Sequence, residues 1–246
     1  MIQLKSVPKP AQLTNEIIEV LTADFKKDNH KNVWKKLYII EALLKMSHAK
    51  CCYSECRLDE KSNYMEVEHF RAKSLYPDQV VEWENLFPSS KKCNTTKGNL
   101  DVVAIPIIHP VLDNPKEHIY LKDFRFYPIT EKGENTIKYT GLNDRKHWVT
   151  PRAKLAFIIQ ERLSDIQEQL DDLEKEKTKG RVIRQIKTLM IEGTETAEFS
   201  AVTATTILND VNYFLIKNTL QNENLWNDEL INLENEMLFC ALKTSL

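Results

Sequence analysis

EVEHFRAKSLYPDQVVEWENLFPSSKKCNTTKGN, residues 66–99, sets an acid beside a histidine at Glu68-His69. An asparagine follows sixteen residues after His69, at Asn85, and a second nine residues later, at Asn94. Chance in a polar loop is one account of the pattern. Groups brought together for chemistry is the other, and the rest of the chain has to choose.

The chain has 246 residues, 42% hydrophobic and 28% charged, an ordinary globular balance for one large domain or two small ones. Its first ten residues, MIQLKSVPKP, lack an apolar signal region, and no run approaches a membrane span. A cytoplasmic protein with no membrane partner is expected. Five glycines favour helices over tight turns. Four of the five cysteines fall between 51 and 93, which in a reducing compartment points to metal or buried thiols before disulfides. The net charge is −2. Residues 1–193 carry 32 Lys/Arg against 28 Asp/Glu, or +4, and residues 194–246 carry 2 against 8, or −6. A generally basic nucleic-acid surface is excluded.

Three regions are expected: N-terminal helices over 1–49, a loop-rich region over 50–150, and helices over 151–246. Apolar stripes place helices at 12–27 and 29–49. Residues 51–100 read as a short hairpin with one helix. Prolines 106, 110, 115 and 128 make the next stretch extended, with strands at 117–127 and 135–140 around Lys132-Gly133. Thr150-Pro151 reads as a helix start. The spacing of Ile159, Leu163, Ile166, Leu170 and Leu173 is a heptad seam, ended by Gly180. Residues 181–192 then complete an antiparallel hairpin, with two more helices at about 195–219 and 222–243.

Hydrolysis of a phosphodiester needs an attacking water, a base, and positive charge at the departing oxygen, which a divalent cation supplies. Mg²⁺ takes oxygen ligands and keeps several waters. Glu68 and Asn94 offer one anionic and one neutral oxygen. His69 takes a proton near neutral pH. A hydrogen bond from Asn85, side chain or backbone, holds the imidazole. Arg71, Lys73, Lys91, Lys92 and Lys97 form a positive rim for phosphates. His30, His48, His109, His118 and His147 are assigned no role. Asp113 closes a turn before Pro115.

With their flanks, Trp83-Glu84-Asn85-Leu86 and Lys92-Cys93-Asn94-x-x-Lys97-Gly98, these positions resemble an HNH endonuclease in its HNN form. With the helices read from the apolar stripes, that resemblance makes the expected fold α+β and mostly helical. A ββα-metal nuclease unit lies between the N-terminal helices and a C-terminal helical bundle. It makes His69, Asn85 and Asn94 catalytic: His69 the general base, Asn85 the brace of loop and imidazole. Glu68 and Asn94 become the ligands of Mg²⁺ or Mn²⁺. His69-Phe70-Arg71-Ala72-Lys73-Ser74 is similar to the HFRPKS of one subgroup, with Ala72 where proline is usual. Leu112-Asp113-Asn114-Pro115, Thr136-Ile137 and Gly141-Leu142-Asn143 resemble its later blocks, so the likeness spans about 50–155. That subgroup is the HNH subunit of Septu-type and retron-associated anti-phage systems, which works beside an ABC/SMC-like ATPase. The implied substrate is nucleic acid, DNA first and RNA as an alternative.

Many relatives hold a structural zinc in two Cys-x-x-Cys knuckles. Aligned here these read Cys51-x-x-Ser54 and Ser90-x-x-Cys93, each short of a cysteine. A rearranged zinc site from Cys51 or Cys52 with Cys56 and Cys93 is one reading. An abandoned site of packed thiols is the favoured one. The balance of eight Lys/Arg against eight Asp/Glu over 50–100 implies weak DNA binding by the free chain, with the ATPase supplying grip. The C-terminal helices, or their acidic face, are the expected dock for that partner. A stand-alone restriction-type nuclease and a catalytically silent adaptor are the two rival readings.

Overall fold

The computed structural model describes residues 1–58, 64–173 and 175–246. They form a mostly helical α+β protein with two small antiparallel sheets. Two compact units are present: Met1–Ile119 with Tyr127–Asn143, and Tyr120–Phe126 with Asp144–Leu246. The N-terminal helices therefore share a unit with residues 50–119. No helix among the described residues is long and apolar enough to cross a membrane.

In the first unit, α1 (Asn15–Lys27) starts where the Thr14 side chain accepts a bond from the Ile17 N–H, and buries Ile18, Leu21 and Phe25. The second expected helix is shorter than 29–49. Only Leu37–Met46 is helical (α2), and residues 28–36 turn, with Val33 and Trp34 buried. Next come β1 (Met65–His69) and β2 (Leu86–Ser90), paired antiparallel with Glu68 opposite Phe87 and His69 opposite Leu86. Ser90 then caps α3 (Lys91–Lys97) by accepting from the Cys93 N–H, and α3 packs on both strands. The expected hairpin and helix are thus present, in the order strand, strand, helix.

The chain then forms β3 (Ile119–Lys122) and β4 (Arg125–Pro128). The expected strand at 135–140 is not one. Residues Glu131–Thr140 are helical (α4), capped by Thr130, with Glu131 and Glu134 in the first turn and left-handed Gly141 at the end. Gly133 serves close packing rather than a turn, because a Cβ there would stand 1.9 Å from the His118 carbonyl oxygen. Gly133→Ala is expected to cost about 3 kcal/mol, read as a lowered urea midpoint. An unchanged midpoint would deny the contact.

In the second unit, α5 (Thr150–Glu168) begins at Thr150-Pro151 as expected, with the proline in its first turn, but Thr150 is not its cap. A π-helical turn, Arg145–Val149, precedes it, and Asp144 caps that turn by accepting from the His147 N–H. A 3-10 turn, Gln169–Asp172, follows α5, and α6 (Glu176–Ile191) runs through Gly180 rather than starting after it. Three helices follow instead of two: α7 (Ser200–Leu208), α8 (Val211–Asn222) and α9 (Asp228–Cys240). Asp210 splits the first expected helix by capping α8, and Asn227 caps α9. Helix α7 is buried on most sides and packs on α5 and α9.

Candidate active site

His69 ends β1 and is 5% exposed. The Trp34 indole meets its ring edge-on, with centroids 4.8 Å apart. Its Nε2 lies 2.9 Å from the Val80 carbonyl oxygen. A carbonyl only accepts, so Nε2 carries the proton and Nδ1 keeps its lone pair. Burial, then the Lys73 and Lys97 charges, push the imidazole's pKa down to about 3, against the opposing Val80 bond.

The orienting partner of His69 is therefore the Val80 carbonyl, not Asn85. Asn85 acts one peptide away. Its Oδ1 accepts from the Arg71 N–H at 2.7 Å, and its Nδ2 donates to the Arg71 and Gln79 carbonyls at 3.1 and 3.0 Å. Its own carbonyl accepts from the Phe70 N–H at 2.9 Å. One side chain thus ties the end of β1 to the segment bearing Val80. Asn85→Ala leaves three backbone groups without this partner and is expected to cost about 2–3 kcal/mol, with the His69 imidazole resonances broadened or shifted. A variant that keeps both the stability and the spectrum would refute the bracing role.

Side chains alternate along a strand, so Glu66 and Glu68 share a face. Helix α3 brings two groups to them. Asn94 donates from Nδ2 to Glu66 Oε2 at 2.6 Å. The Lys97 ammonium lies 2.6 Å from Glu68 Oε1 and donates to the His69 carbonyl at 2.9 Å. Both partners of that ion pair are fully buried, and the Tyr53 hydroxyl donates to Glu68 at 3.3 Å. Burial raises the Glu68 carboxyl, and Lys97 pulls it back. Sequence reading joined Asn94 to Glu68 and put Lys97 on phosphate. The folded chain instead pairs Asn94 with Glu66, and holds Lys97 inside on Glu68. Glu66 was legible as the next residue on the same strand face; Trp34 and Tyr53 left no local signal.

Of the other expected phosphate contacts, Arg71 and Lys91 are exposed, while Lys73 is half-buried, 4.8 Å from the Trp34 ring. Lys92 is partly exposed. Arg71 also lines a cavity of about 610 Å³ beside Asn85, Gln79 and His109. His109, given no role from sequence, meets Phe70 and Phe87 edge-on, and its Nδ1 accepts from the Val111 and Leu112 N–H groups.

Cys51, Cys52, Cys56 and Cys93 are buried and form no disulfide. Although burial opposes it, Cys51 titrates well below the usual thiol range, because the Cys52, Cys56 and Cys93 thiols and the Ser54 hydroxyl bond to it. Burial and that neighbour push Cys52 and Cys93 up. Among the described residues, no three His, Cys, Asp or Glu side chains are arranged to hold a metal ion.

No family model matches the chain. Over 234 residues it is 38% identical to the Septu protein PtuB of Bacillus thuringiensis, covering 93% of this chain and 90% of that protein.

Proposed function

This chain belongs to the family of the Septu protein PtuB, and from that premise we propose that it serves Septu anti-phage defence as a metal-dependent HNH endonuclease. The observation that carries the reading is the fixed tautomer of His69. Its Nε2–H is held by the Val80 carbonyl at 2.9 Å, which leaves Nδ1 to accept a proton. In the proposed reaction Nδ1 takes the proton of a water as its oxygen attacks phosphorus, and the bond to the departing oxygen breaks.

The oxygens of Glu66, Glu68 and Asn94 suit a hard cation. Glu66 and Asn94 would hold Mg²⁺ or Mn²⁺ once the Asn94 amide turns its Oδ1 outward, with Glu68 joining if Lys97 releases it. Bound there, the cation would supply positive charge at the reacting phosphate. DNA is the proposed substrate, and an ABC/SMC-like ATPase the proposed partner that supplies grip.

The Lys97–Glu68 pair favours a second reading, a silent adaptor, because an ammonium sits where a metal would meet that carboxylate. A Mg²⁺ titration of DNA cleavage separates the two. Glu66→Gln and Asn94→Ala are expected to raise the Mg²⁺ concentration needed for half-maximal cleavage. Cleavage unchanged in both variants would remove the ligand assignment, and no cleavage by the wild type with the ATPase present would leave the adaptor.

A further inference from the structure

One exposed face of α6 carries three cations and a threonine. Lys177, Arg181, Arg184 and Thr188 recur at intervals of four, three and four, so they share one helical face, and all four are exposed. The other cations of the helix are matched: Lys179 lies 4.0 Å from Glu223 and Lys187 2.5 Å from Glu229. Arg181 and Arg184 form no ion pair among the described residues, and neither does Arg162 across the groove on α5. The three arginines line a cavity of about 510 Å³ with one carboxylate, Asp165. Three guanidiniums against one carboxylate leave an excess of two positive charges.

Like charges three and four residues apart weaken a helix, so stability does not account for the stripe. A ligand does. Guanidinium is charged at any working pH and its fork matches phosphate oxygens in pairs. The steps along α6 are about 6 and 4.5 Å at 1.5 Å per residue, close enough for neighbouring cations to engage successive phosphates of one strand. The Gln185 side-chain oxygen in the same wall is buried without a hydrogen-bond partner, an acceptor that a base N–H or sugar hydroxyl would meet.

We infer that the α5–α6 groove, through Arg162, Arg181 and Arg184, binds the phosphate backbone of nucleic acid as a grip separate from the His69 site. It deepens the nuclease reading, and its purpose rests on that reading. Its test reads binding alone.

The full chain is titrated into a labelled 30-nucleotide strand and its duplex in EDTA, and fluorescence anisotropy is followed over a range of salt. Removing all three guanidiniums (Arg162→Gln, Arg181→Gln, Arg184→Gln) is expected to raise Kd about thirtyfold at moderate salt and to flatten the log K against log salt slope by about 2–3. Lys179→Gln with Lys187→Gln removes charge from the matched positions and is expected to change Kd less than threefold. A correctly folded triple variant with wild-type Kd and slope would overturn the inference. So would equal weakening by the lysine pair.

Discussion

Replacing His69 by alanine is expected to lower strand cleavage by about 10²–10⁴-fold, the range for a positioned general base. The imidazole is also a packed group. Its loss leaves the Val80 carbonyl unmet and a gap beside Trp34, which adds about 1–3 kcal/mol of destabilisation. Cleavage is therefore compared at a temperature where circular dichroism shows both proteins folded. The wild-type pH profile gives an independent check. In the proposed reaction the unprotonated ring is the active form, so activity is expected to fall only as pH drops through the folded pKa, about 3. A histidine at its ordinary 6.5 would lose about tenfold by pH 5.5, whereas this one stays unprotonated there. A kcat limb centred near 6.5 would mean that the base is another group or that His69 is solvated when substrate binds.

Lys97→Met should be among the most destabilising single changes in the first unit, at about 3–5 kcal/mol. The methionine fills much of the volume but leaves Glu68 buried without its cation. Burial then raises the Glu68 pKa further, so the folded variant keeps a proton that the unfolded chain releases above pH 4.5. More protons bound in the folded state means stability falls as pH rises from 4.5 toward the folded pKa. The deficit against wild type is smaller near pH 4.5 than at pH 8. Adding Glu68→Gln removes the stranded charge and is expected to recover more than half of the loss in urea denaturation. A double variant no more stable than Lys97→Met would show that the lysine acts by its shape rather than its charge.

Elements with local chemistry at their ends were legible in the chain. The Thr150-Pro151 start of α5 and the buried seam of Ile159, Leu163 and Ile166 on it were both read from the chain. Where two local signals conflicted, the weaker one was read. Residues 135–140 carry β-branched and aromatic side chains that suit a strand, but the Thr130 cap and two first-turn glutamates set a helix. Gly180 looked like a stop, yet its surroundings are open, with only the Arg184 side chain near a would-be Cβ, and the helix tolerates it at modest cost.

The site was legible as a list of residues and not as a set of contacts. Spacing brought Glu68, His69, Asn85 and Asn94 to notice. It could not tell that Val80 would supply the carbonyl for His69, since a backbone group has no sequence signature. Nor could it foresee that Lys97 would turn inward to Glu68 while Asn94 met Glu66. Those choices depend on how α3 lies across β1, a tertiary relation that no local pattern encodes.

The central claim is metal-dependent hydrolysis at His69. Its most direct measurement is the cleavage of supercoiled plasmid by the purified chain with the proposed ATPase partner, in Mg²⁺ and in EDTA, beside folded His69→Ala protein. The account predicts nicked or linear product with Mg²⁺ from the wild type alone. Equal product in EDTA, or from His69→Ala at the wild-type rate, would contradict it.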